Sequence, residues 1–188
     1  MNIAGRLILT MLSLSPFIAA AGEPPPHAMT MSAVDQNSPL VEKVHKATAQ
    51  FRDINAALAA GFVQATPCVS GPDFGAMGVH FVLGSRINAG TLNATEPEAL
   101  IYEPLPNGAF RLVGVEFIIL ASVWQTQIPA GSSATPSLEG HLMNFVNAPN
   151  RYGLPAFYEL HVWAWEHNPV GSFADWNTQV TCDHQPTS

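Results

Sequence analysis

The chain has 188 residues, enough for one domain with a substantial core, and a formal net charge of −7 with only 11% of its residues charged. Its seven Lys and Arg form no cluster, which excludes the phosphate-binding footprint of a nucleic-acid partner. The acidic balance suits cationic ligands, metals included, and equally suits simple solubility.

From the N-terminus, one early positive charge, the apolar run Leu7 to Ile18 and Ala19-Ala20-Ala21 read as a signal peptide over residues 1–21. The run is short and interrupted by Pro16, so no stable membrane anchor is expected. Residues 22–38, rich in Pro, Ser and small residues, read as a flexible leader. The rest, 39–188, is expected to form a single α+β domain, secreted or periplasmic.

Ser38-Pro39 is a helix start, with Ser as the cap and Pro at the first helical position. Leu40, Val44, Ala47, Phe51, Ile54 and Leu58 then form one apolar stripe, predicting an amphipathic helix that runs to Gly61. His45, flanked by Lys43 and Lys46, belongs to its wet face. Beyond the helix the pattern changes to strands, at 77–83, 99–103, 110–120 and 157–165. Asn107-Gly108 between the second and third predicts a tight type I′ hairpin turn. One N-terminal amphipathic helix followed by antiparallel strands predicts an α+β fold whose sheet is curled or closes into a small barrel.

Cys68 and Cys182 are the two cysteines. In an oxidising compartment they are expected to form a disulfide, since no C-x-x-C spacing marks them as metal ligands.

The strands carry ionisable groups where such groups are costly. "MGVHF" and "VGVEF" repeat one phrase with His80 in the first and Glu116 in the second, each two residues after a glycine. Alternation sets Gly78 and His80 on one face of their strand and Gly114 and Glu116 on one face of theirs. The glycines, lacking side chains, would leave room there for a ligand, a water or a bulky neighbour. With an even-length turn Glu103 pairs opposite Leu112 and joins the Glu116 face; an odd-length turn sends it to the other side. In "FYELHVWAW", Phe157, Glu159, His161, Trp163 and Trp165 share a face.

A buried carboxylate normally pairs or binds a metal. His80, Glu116 and His161 are therefore candidate ligands for one divalent transition metal: zinc, iron, copper or manganese. Two His plus one Glu leave coordination positions open for water or substrate, and Glu103 or Glu159 are the candidate catalytic bases if the metal activates water or dioxygen. His141 is a weaker additional ligand candidate. Two other readings stand beside the metal site. Phe157, Trp163 and Trp165 could wall an aromatic pocket for a small-molecule ligand, or the His and Glu residues could pair internally as a structural polar core.

The phrases "GAMGVHF", "PEALIYEPLPNGAFRLVGVEF" and "FYELHVWAWEHNPVGSF", with "ATPCVSGP" upstream, cover most of the chain from the first helix to Cys182. Over that span the sequence resembles a family of exported bacterial proteins of uncharacterised activity. The resemblance implies bacterial export and brings no reaction with it.

Overall fold

A computed structural model describes residues 38–185. The expected signal peptide and all of the leader except Ser38 lie outside the described residues.

The amphipathic segment begins as expected. Helix α1 spans Pro39–Thr48 with Pro at its start, and buries Leu40, Val41, Val44 and Thr48. It does not continue unbroken. The chain tightens into a 3-10 turn, Ala49–Arg52, and restarts as α2, Ile54–Ala59. Asp53 causes the restart: its carboxylate accepts the Asn55 backbone N–H at 2.9 Å and caps the second helix. A short acidic side chain thus outcompetes helix continuation. Leu58, expected in the buried stripe, is 50% exposed after this break.

Strands β1 (Val63–Gln64), β2 (Val69–Gly71) and β3 (Gly75–Val82) follow, then helix α3 (Gly84–Ala89) and strands β4 (Ala99–Pro104) and β5 (Phe110–Leu120). Helix α4 (Ala121–Gln127) leads to short strands β6 (Ser137–Leu138), β7 (His141–Leu142) and β8 (Asn144–Val146), and β9 (Phe157–Val162) ends the series. The main sheet has the order β1-β3-β4-β5-β9-β8, with β2 on another stretch of β3, and all its pairings are antiparallel. The α+β class holds. The sheet is open rather than a closed barrel, with β1 at one end and β8 at the other.

The β4–β5 hairpin departs from the expected turn. Gly108 takes φ +75° while Asn107 does not adopt positive φ, and a type I′ turn needs positive φ at both central positions. Leu105 N–H donates to the Ala109 carbonyl and Gly108 N–H to that of Leu105, the pattern of a type I turn with Pro106 preset at its second position. Glu103 consequently faces Arg111 instead of Leu112. A bulge between Ile101 and Tyr102 then absorbs the difference, so Ile101 faces Gly114 and Ala99 faces Glu116. Leu112 is thereby turned away from the Glu116 face and packs with Tyr102, Val115 and Phe117.

That face of the sheet, with Val79, Phe81, Leu100, Phe117, Leu160 and Val162, packs against α1 and forms the principal apolar core. The opposite face carries the ionisable residues. It is covered by the chain after β9, which pairs Asn177 with Ala76, and by apolar residues including Ile87, Tyr152 and Leu154. Cys68 and Cys182 are disulfide-bonded as expected, with Cα atoms 5.6 Å apart, and pin this covering segment to the loop after β1. No described helix is long and apolar enough to cross a membrane.

Candidate metal centre

Register places three of the candidate residues together. Glu116 lies directly opposite His161 across β5 and β9, and Ile118 opposite Glu159. His80 reaches the same face from β3, across the intervening strand β4, where its partner is Ile101. Ala99, the β4 partner of Glu116, is fully buried and small, so little side chain stands between the two outer strands.

Of the occupants expected beside the glycines, it is protein neighbours that take the space. Gly78 has φ +103°, and a Cβ there would lie 2.7 Å from the Tyr102 carbonyl. It serves the bulge where β2 and β3 slip register. A Cβ on Gly114 would lie 3.0 Å from the Val162 carbonyl and 3.3 Å from the Trp163 ring. Close approach of protein backbone and indole, not space for a ligand, requires both glycines.

His80, Glu116 and His161 are 2%, 4% and 0% exposed, and each offers a ligand atom within 4.8 Å of the others. His80 Nε2 is 3.5 Å from Glu116 Oε2, and the His80 and His161 rings meet edge to face at 5.9 Å. Thr66 fixes the His80 ring from behind, its hydroxyl 3.3 Å from Nδ1. That contact leaves Nε2 as the free nitrogen, the arrangement by which outer groups orient a ligating imidazole. A second grouping shares His161: Glu159, His161 and Asp175 also offer atoms within 4.8 Å of one another. His161 Nδ1 lies 3.6 Å from Asp175 Oδ1, longer than a hydrogen bond, and the Asn144 amide donates to that same oxygen at 3.1 Å.

Electrostatics favour the forms a metal needs in one case and oppose them in another. Burial, then the neighbouring His161, holds the His80 imidazole down to about 3, so it is neutral with a lone pair available at ordinary pH. Glu116 is pushed well above the usual carboxylate range by burial first, then by the charge of Glu159 and a hydrogen bond to it. Two adjacent buried carboxyls to which none of the described Lys or Arg residues is paired must keep a proton or share a cation. Asp175 is held below its usual range, chiefly by His161.

Among the described residues, four buried side-chain N or O atoms have no hydrogen-bond partner: His80 Nε2, Glu159 Oε2 and both ring nitrogens of His161. Such atoms are rare in folded proteins and costly unless something satisfies them. A cavity of about 80 Å³ adjoins His80 and Glu116, lined also by Thr66, Tyr152, Leu154 and Phe157 among others. Both groupings could hold a metal ion.

The remaining candidates lie apart. Glu103 does occupy the same sheet face, but it accepts two hydrogen bonds from Arg111, at 3.0 and 2.6 Å, and one from Thr181 N–H at 2.9 Å. It is a spent acceptor at the far end of the hairpin, and Arg111 also pairs with Glu166. Trp163 is buried behind His161, its indole N–H donated to the Ala174 carbonyl. Trp165 sits on the opposite face: the strand ends at Val162 and the chain turns, so alternation no longer applies. Its N–H donates to Thr48 and its ring stacks on His45. Only Phe157 of the three aromatic candidates lines the cavity. His141 packs on Phe173 and approaches Ser38, in neither grouping. Thr66, Tyr152 and Asp175 were not legible beforehand, because all three come from irregular segments where no periodicity assigns a face.

Glu98, also missed, is 1% exposed and accepts the Ile118 N–H at 3.0 Å. Burial pushes its carboxyl up to about 7, against those backbone bonds and Arg86. The folded state therefore holds a proton that the unfolded chain releases near 4.5, so stability is lost as pH rises through about 7. Glu98→Gln, isosteric with the protonated acid, is expected to gain stability relative to the parent between pH 4.5 and pH 7.5. Urea melts at the two values check this; an unchanged difference between the chains would count against it.

No protein-family model, no curated protein and no solved structure matches this chain. What the fold and site define is a class: a disulfide-bonded α+β domain whose open antiparallel sheet buries a His and carboxylate cluster able to hold a metal ion.

Proposed function

We propose that the chain is an exported protein that binds a divalent transition metal through His80, Glu116 and His161. The observation that carries this reading is the set of four buried, unpartnered ligand atoms concentrated on one sheet face. A polar core built for its own sake would satisfy them internally. Support for export comes from the signal-like N-terminus and from a disulfide, which fits an oxidising compartment.

Zinc, copper, iron and manganese all accept imidazole and carboxylate donors. Three protein ligands leave further positions on the ion for water or a small ligand, and the adjoining cavity of about 80 Å³ has room only for a molecule of a few atoms. Of the two candidate bases, Glu103 is committed to Arg111, while Glu159 stays beside His161 without lining that cavity.

The test is equilibrium dialysis of metal-depleted, tag-free chain against each of the four ions. At least one ion should be retained per chain. His80→Ala should weaken binding by at least about 100-fold, more than the loss of an outer-shell partner. His45→Ala, on the exposed face of α1, should leave it unchanged. Near-ultraviolet circular dichroism establishes that each variant is folded. Failure of the folded parent to retain any of the four ions would overturn the proposal.

A further inference from the structure

One ion does not satisfy every buried polar atom of the site. Bound by His80, Glu116 and His161, it satisfies His80 Nε2 and one nitrogen of His161. Glu159 Oε2 and the second His161 nitrogen are still buried without partners. Both residues belong to the other grouping, Glu159, His161 and Asp175, which also offers ligand atoms within 4.8 Å of one another. Glu159 is 4% and His161 0% exposed, so solvent does not satisfy them.

We infer that the site holds two divalent ions, with the His161 ring between them as a shared ligand. Building on the mononuclear reading, this adds a second position, formed by Glu159, Asp175 and the His161 nitrogen nearer Asp175. That nitrogen is Nδ1, 3.6 Å from Asp175 Oδ1, which leaves Nε2, on the other side of the ring, for the ion held with His80 and Glu116. Entry of the second ion displaces the remaining ring proton to solvent and makes the ring an imidazolate.

Charge supports this count. Three carboxylates, Glu116, Glu159 and Asp175, converge here, and the Arg111 guanidinium is engaged elsewhere by Glu103 and Glu166. One divalent ion leaves the cluster either negative, which is costly in a low-dielectric setting, or still holding a carboxyl proton. Two divalent ions carry four positive charges, matched by three carboxylates and one imidazolate. Access is also provided: the Asp175 side chain is 33% exposed, while Asn144 holds its carboxylate in place. The second position is thus the outer one, reached from solvent first.

Zinc and copper(II) serve as probes on the full, tag-free chain. Dialysis against zinc should load two ions per chain, and both Asp175→Asn and Asp175→Ala should reduce this to one. With copper(II), the integrated electron paramagnetic resonance signal at low temperature should rise to one equivalent and fall towards two, because the shared ring couples the spins. A single ion per chain would overturn the second position and leave the first standing. No bound ion would overturn both. Two ions in both Asp175 variants would place the second elsewhere and overturn the inference equally.

Discussion

Replacing Cys68 and Cys182 together with serine is expected to lower the stability of the folded chain by about 4–5 kcal/mol. The bond closes a loop with a sequence separation of 114 residues, and in the chain-entropy account a loop of that size restricts the unfolded ensemble by about this amount. Typical domain stability is only about 5–15 kcal/mol, so the variant should unfold at much lower denaturant or fail to accumulate. Native contacts give a second reason. The same crossing segment supplies the Thr181 N–H bond to Glu103, while Gln185 accepts from the Cys68 N–H. Chemical denaturation of oxidised and reduced parent beside the double variant measures the effect. A loss below about 1 kcal/mol would show that packing, not the crosslink, secures the cover over the His and Glu face.

His161→Phe should separate binding from stability. The ring is fully buried beside Trp163, and both nitrogens lack partners. A phenyl group of similar shape removes two unsatisfied polar atoms, so the metal-free variant should be as stable as the parent or more stable. Metal loading should then do nothing for it. In the parent, ion at 1,000 times its dissociation constant should add about 4 kcal/mol to stability; in His161→Phe this increment should vanish. Thermal unfolding with and without zinc reads both quantities. If the His and Glu residues were a self-contained structural core, the phenyl variant would instead lose about 1–3 kcal/mol without metal. That sign decides between the two readings.

Periodicity and composition are enough to read the α+β class, the start of the first helix, the hairpin's place and the pairing of the cysteines. They also mark His80, Glu116, Glu159 and His161, because period-two alternation is a local property that survives wherever a strand stays regular. Whatever depends on irregular backbone is set by long-range packing instead. Asp53 broke the helix by capping a new one. The bulge in β4–β5 moved Leu112 to the other core, and the end of β9 at Val162 carried Trp165 across the sheet. Gly78 and Gly114 stood out in the sequence, yet their reason is contact with the Tyr102 and Val162 carbonyls, distances no spacing rule contains. Asp175 illustrates the limit most clearly. It lies on a loop and meets His161 only because the disulfide-tied segment folds back over the sheet. Local chemistry selects which side chains are able to bind an ion; long-range chain closure decides which of them reach the same one.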